Sequence, residues 1–208
     1  MARCPRCNKR PAKRHCPALI TRICAVCCAR DRMIEIRCPE SCDYLHQARM
    51  TSATRLAELL RSQMRASQVA KLYDNERRIY ILSNIDDAIA RAQRELFNDL
   101  EDSEVVAALD NAIRNLETAG SGLIYEHTQA SPRVQQLSVS IRDHIETAAG
   151  KVAAEIRPPR AEVVECLRFQ RSLVDLFTKN EGDGRAYVRH AAQLLSWPAE
   201  ETQPRIIA

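Results

Sequence analysis

Cys4-Pro5-Arg6-Cys7 and Cys24-Ala25-Val26-Cys27-Cys28 are the stretches on which the reading of this chain turns. Each places two cysteines two residues apart, the spacing at which one turn of backbone can offer two sulfur donors to a tetrahedral metal ion. Cys16 lies between the two pairs, and Cys38 and Cys42 follow, so eight of the nine cysteines fall within the first 42 residues, with His15 and His46 beside them. That density far exceeds what small buried hydrophobes would need. Cys4, Cys7, Cys24 and Cys27 make one complete four-sulfur set. Cys16, Cys28, Cys38 and Cys42 make a second, interleaved with the first along the chain. The expected cofactor is Zn²⁺, two ions per chain; an iron–sulfur cluster is the chemical rival, because thiolate sets serve either.

Working outward, residues 1–46 contain few apolar side chains, among them Ile23, Val26, Met33, Ile34 and Ile36. A segment this small cannot close a sufficient core alone. Two structural zinc ions, each worth roughly 10–16 kcal/mol of apparent binding energy, would supply what packing cannot. The runs Thr21–Ile23 and Met33–Arg37 read as two short strands, with Ile34 and Ile36 on one face at period two.

The spacing Cys-x2-Cys-x8-Cys-x7-Cys-x2-Cys from Cys4 to Cys27 resembles the B-box zinc finger of tripartite-motif proteins, over about 40 residues and in ligand spacing only. The resemblance implies a cross-brace, in which the first and last pairs hold one zinc and an interleaved set holds the other. It also implies protein–protein contact or self-association, with a helical segment following. One departure matters. The family places an acidic or cysteine ligand three residues after the third cysteine, and here that position is Leu19. Cys28 is the substitute, with His46 in reserve, and Cys38 and Cys42 stand where the family ends its second site with histidines.

Beyond Cys42 the pattern becomes helical. Asp43 can cap a helix from Tyr44 to about Arg65, with Leu45, Ala48, Leu56, Leu59 and Leu60 at helical spacing. Leu82, Ile85, Ile89, Ala92 and Leu96 step 3,4,3,4 along a second helix. Asp102 or Ser103 caps a third, carrying Val106, Leu109, Ile113, Leu116 and Leu123. Ser131-Pro132 is a cap followed by proline at the first helical position, opening a helix through Val134, Leu137, Ile141, Ile145 and Ala148. Pro158-Pro159 breaks the chain before a helix with Val163, Val164, Leu167, Val174 and Phe177. Gly182 and Gly184 precede a short one with Val188, Ala191, Leu194 and Leu195. Short connections between these runs favour a bundle over an extended coiled coil. The expected fold is mainly α: a small N-terminal zinc-binding α+β finger (1–46), a connecting helix (47–74), a four- or five-helix bundle (75–196) and an irregular tail (197–208).

The net charge of +4 is uneven. Residues 1–50 carry eleven Lys and Arg against four Asp and Glu; the rest carry twenty against twenty-three. Two tetrathiolate zinc sites would remove about four positive charges from the basic segment. No secretory h-region follows the basic start, and apolar stretches are too short to span a bilayer. A cytoplasmic protein, with reduced thiols free to bind metal, is the expectation.

Three functional readings follow. The leading one is an interaction or scaffold protein that contacts a protein partner or itself through Arg6, Lys9, Arg10, Lys13 and Arg14, with Arg3 nearby. The second is nucleic-acid binding through the same basic loop, against which stands the lack of Phe or Trp for base stacking. The third is a catalytic bundle built on Tyr125-Glu126-His127 and Asp143-His144 with Glu146. No Glu-x-x-His or His-Glu-x-x-His motif and no glycine-rich phosphate loop occurs, and a zinc with four protein ligands has no position for water. The balance is against an enzyme. Cys166 reads as a buried thiol without chemistry.

Overall fold

A computed structural model describes residues 2–63, 75–120, 131–151, 157–181 and 184–194. It is mainly helical, with seven helices among the described residues and one two-stranded hairpin near the N-terminus. Seven exceeds the four or five expected for the bundle, because one helix lies inside the cysteine-rich head and another leads out of it.

The head begins with a tight loop. An isolated antiparallel bridge between Arg3 and Pro11 closes it, and the Cys4 amide donates to Arg10 O at 2.8 Å. Strands β1 (Arg14–Cys16) and β2 (Thr21–Ile23) pair antiparallel in the register Arg14↔Ile23, His15↔Arg22, Cys16↔Thr21. Helix α1 (Ala25–Asp31) follows at once. One of the two expected strands is borne out and the other is corrected: Thr21–Ile23 is a strand, paired with Arg14–Cys16, but Met33–Arg37 is not. Residues 33–35 form a turn instead, because the amides of Ile34, Glu35 and Ile36 all converge on Asp31 O at 3.2, 2.9 and 2.8 Å. A single parallel bridge from Arg32 to Ile36 is all the strand pairing this stretch makes among the described residues. Ile23, Met33, Ile36 and Leu45 are buried among the cysteines and form the apolar part of the head.

Helix α2 (Asp43–Gln63) starts directly after Cys42, and its buried Leu45 belongs to the core of the head. Farther along, Arg49 Nε donates to Gln193 O at 2.5 Å and Ser52 Oγ lies 2.6 Å from His190 Nδ1. These contacts set α2 against the last helix and tie the head to the bundle.

The bundle comprises α3 (Glu76–Glu95), α4 (Asp102–Gly120), α5 (Pro132–Gly150), α6 (Arg160–Glu181) and α7 (Ala186–Leu194). α4 packs against α5 and α6, while α3 lies against α5, α6 and α7. Local signals start two helices as their sequences imply. Asn75 Oδ1 accepts from the amides of Arg77 and Arg78, and Ser131 Oγ accepts from Val134 N ahead of Pro132. The stripes expected on α5 and α6 are buried in full. On α3, Leu82, Ile85, Ile89 and Ala92 are buried, but Leu96 is the exposed C-cap residue. On α4, Leu109 and Ile113 are buried as expected, joined by Val105, Ala108 and Ala112, while Val106 and Leu116 are only partly buried against the same core. Leu194 is exposed at the end of α7; Leu123, Leu195 and the tail lie outside the described residues.

Asp102 does not cap its own helix as expected. Its buried carboxylate caps α7 instead, accepting from Tyr187 N at 3.2 Å and Val188 N at 3.0 Å, with Thr178 Oγ1 donating at 3.1 Å. Gly184, at φ 69°, makes the left-handed turn that brings its carbonyl to Asp102 N at 2.8 Å.

Candidate metal centre

Four sulfurs converge. The ligand atoms of Cys4, Cys7, Cys24 and Cys27 all lie within 4.8 Å of one another, and Cys7 Sγ and Cys24 Sγ are 3.9 Å apart. A tetrahedral zinc with Zn–S bonds of about 2.3 Å needs sulfurs roughly 3.8 Å apart. The donor set and its spacing therefore fit that ion.

Local backbone explains the convergence. In the first pair, Cys7 N and Asn8 N both turn back on Cys4 O, at 3.3 and 2.8 Å, and Asn8 takes φ 51°, a conformation asparagine tolerates better than most residues. In the second pair, Cys24 is the N-cap of α1 and its sulfur accepts from Cys27 N at 3.3 Å, so the helix start holds both thiols on one side. Three of the four are buried and Cys7 is partly so.

The protons on this set are unevenly held. The amides of Lys9 and Arg10 pull the Cys7 thiol down to about 6. Burial works against ionising Cys4, yet the amides of Cys24, Arg6 and Cys7 outweigh it and hold that thiol below its usual range. Burial, reinforced by hydrogen bonds with Cys24, Cys7 and Cys4, pushes Cys27 up to about 12. A divalent ion entering the set would displace the remaining protons, the usual coupling of metal binding to proton release.

The second set is gathered but not closed. Cys16, Cys28, Cys38 and Cys42 are all buried. Burial raises the Cys16 thiol, with the nearby Cys28 and Cys42 adding to it against the amides of Leu19 and Ala18. Burial likewise takes Cys38 to about 11, with Cys42 and Cys16 adding and the Met33 amide and Arg32 opposing. Among the described residues, however, no second group of three or more such ligand atoms lies mutually within 4.8 Å. Cys28 Sγ is met instead by Arg14 Nη1 at 3.6 Å and Arg32 Nη2 at 3.5 Å. His46 and His15 are exposed, His46 on the first turn of α2.

The basic loop is only partly available. Arg6 is held by Asp31, at 2.5 Å, and by Glu35, while the Arg14 guanidinium lies 4.6 Å from the centre of the Tyr44 ring. Lys9, Arg10 and Lys13 are exposed, as is Arg3. Of the acid–base residues considered for catalysis, Tyr125, Glu126 and His127 lie outside the described residues. His144 Nε2 is 2.8 Å from Asp87 Oδ2, and Arg142 approaches Asp143 and Glu146 at 3.5 and 4.0 Å. Cys166 is fully buried in α6, where burial pushes its thiol up to about 12.

Sequence reasoning missed Asp31. It is 1% exposed, sits under Arg6 and Arg30, and its carbonyl organises the turn after α1. An acid between two arginines in a basic segment was the available signal. It missed the Ser52–His190 link as well, for which no local signal exists.

The head is thus a thiol-rich finger with one assembled four-cysteine site, attached to a packed helical bundle. Comparison with protein-family models, curated proteins and solved structures returns no match. No helix among the described residues is long and apolar enough to cross a membrane.

Proposed function

We propose that this protein is a zinc-stabilised interaction protein, in which a recognition head (1–46) is joined by a connecting segment (47–74) to a helical bundle (75–196). The observation behind this reading is the closed set of four sulfurs within 4.8 Å of one another, which leaves a bound zinc no position for water or substrate. A structural ion stiffens a small surface that could not hold its shape by burial alone. Lys9, Arg10 and Lys13, exposed on the loop between Cys7 and Cys16, are the contact residues for a protein partner or a second copy, with Arg6 and Arg14 held in place behind them.

A second zinc belongs to Cys16, Cys28, Cys38 and Cys42, whose buried and mutually repelling thiols are the stock from which a B-box-like second site would form. The cytosol suits such a protein, since it keeps thiols reduced.

Elemental analysis tests the metal. Zinc should be present at one to two ions per chain, and Cys24→Ser should remove one. Protein purified under reducing conditions with no bound metal would end this reading. Sedimentation of the zinc-loaded chain before and after chelation, beside Lys9→Glu with Lys13→Glu, tests the surface: association that ignores both chelation and charge reversal would remove the head from the role given to it. Nucleic-acid binding predicts affinity for DNA or RNA that falls steeply with salt.

A further inference from the structure

The hairpin of the head ends in an aliphatic point. Between Cys16 of β1 and Thr21 of β2 the chain turns through residues 17–20, and Leu19 and Ile20 are both exposed there. Ile20 is 74% exposed, more than any other large apolar side chain among the described residues. Its φ is 50°, in the left-handed region that a β-branched residue enters only under strain. The turn is nonetheless held from below. The amides of Ala18 and Leu19 point in to the sulfur of the buried Cys16, and Ile23 on the paired strand is fully buried.

Positive charge stands beside this point without a counter-charge. Arg22 and His15, paired across the two strands one step from the turn, are both exposed. Elsewhere in the head, Asp31, Glu35 and Glu40 are engaged by Arg6, Arg30 and Arg49. No acid meets Lys9, Arg10, Lys13 or Arg22 among the described residues. Even with two tetrathiolate zinc sites, the first 50 residues keep a surplus of about three positive charges.

We infer that the hairpin tip is a contact point for an anionic lipid surface, at which Leu19 and Ile20 enter the headgroup boundary and Arg22 meets the negative headgroups.

Shape and composition favour a bilayer over a macromolecular partner. The tip is convex and only two residues wide, so a protein would need a pocket cut to match it. The head has no Phe or Trp, and its one tyrosine, Tyr44, is half-buried with the Arg14 guanidinium over its ring. Aromatic rings are what protein interfaces anchor on and what nucleic-acid bases stack on. A bilayer requires neither: it admits any aliphatic side chain and draws cations to its anionic face. An apolar tip and a basic flank together supply the two signals that such reversible contact needs. The competing account is that a single exposed isoleucine is ordinary. It covers the exposure of Ile20 but not a backbone conformation that glycine or asparagine would adopt with less strain. This contact needs no helix that crosses the bilayer, and it goes beyond the protein-contact role given to Lys9, Arg10 and Lys13.

The test is co-sedimentation of the full zinc-loaded chain at low salt with vesicles of phosphatidylcholine containing phosphatidylserine and, separately, with vesicles of phosphatidylcholine alone. Saturable binding is expected to the first and little to the second, and it should fall as salt rises. Ile20→Asn should weaken binding at least about tenfold, with zinc content unchanged. Its melting temperature should hold or rise, because asparagine tolerates the left-handed region. A merely structural isoleucine would give the reverse, a lower melting temperature with binding intact. Arg22→Glu should weaken binding at least about fivefold. Absence of binding to either vesicle, or binding that ignores Ile20→Asn, would overturn the inference. So would capture of poly-glutamate or single-stranded DNA in place of the vesicles, which would assign this face to an acidic protein or to nucleic acid.

Discussion

The carboxylate of Asp102 sits 3.0 Å from the backbone nitrogen of Val188, so one residue at the start of α4 caps α7 from 86 positions away. With Tyr187 N and Thr178 Oγ1 it forms a buried knot where α4, α6 and α7 meet. Asp102→Ala should therefore cost more than an ordinary N-cap, about 2–3 kcal/mol, because it strands two buried amides as well as removing a charged acceptor. Urea unfolding would measure it, and Asp102→Asn, which keeps one acceptor, should fall between the two.

Stripping the metal should act on the head and spare the bundle. Chelation is expected to erase the amide resonances of residues 2–46 while those of α3 to α7 persist, since the bundle has its own apolar core. Far-UV circular dichroism should change little, α1 being only seven residues long. Cys166→Ser should leave zinc content unaltered; a chain that loses its metal through that substitution would show the wrong sulfurs have been assigned.

Arg6 should matter to the metal without touching it. Asp31 is buried beneath Arg6 and the more exposed Arg30, and its carbonyl holds the turn after α1. Arg6→Ala removes one of these two cations. Because Arg6 is itself partly in water, the loss is about 1 kcal/mol. The readout is zinc transfer to a chromogenic chelator, which should run severalfold faster than in the parent.

A buried imidazole and a half-buried carboxylate give pH dependences of opposite sign. Burial lowers the His190 imidazole from 6.5 to about 4, so its contribution to stability is complete above 6.5 and is lost as pH falls through 4. Burial raises Asp86 from 3.8 to about 7, against hydrogen bonds from Tyr187 and Gln170, so its contribution is complete below 3.8 and is lost as pH rises through 7. The two windows overlap and offset each other. Asp86→Asn should expose the His190 arm: its urea midpoint should climb with pH between about 4.5 and 6.5 more steeply than the parent's. Identical slopes would sink the assignment.

How much of this was legible beforehand depends on how local each cause is. Asn75, Ser131-Pro132 and the apolar stripes of α5 and α6 act within a turn or two of themselves, and they appear where their residues imply. The four cysteines that converge were likewise readable as two pairs, because a two-residue spacing has a direct geometric meaning. Helix α1 was hidden: Cys24, Cys27 and Cys28 looked like ligands, and nothing in a ligand spacing says whether its turn continues as a helix. Met33–Arg37 alternates like a strand, but the pull of three amides toward Asp31 O outweighs alternation in so short a run. The role of Asp102 and the Ser52–His190 link depend on chain crossings between distant positions, and no local pattern encodes those.

Cys24 serves its helix and its thiol cluster with the same sulfur. Occupancy and the first turn of α1 are consequently one event seen from two sides. An environment-sensitive dye on the solvent-facing Val26, two residues into that helix, would act as a built-in gauge, letting the filling of the cluster be followed in real time by light emission.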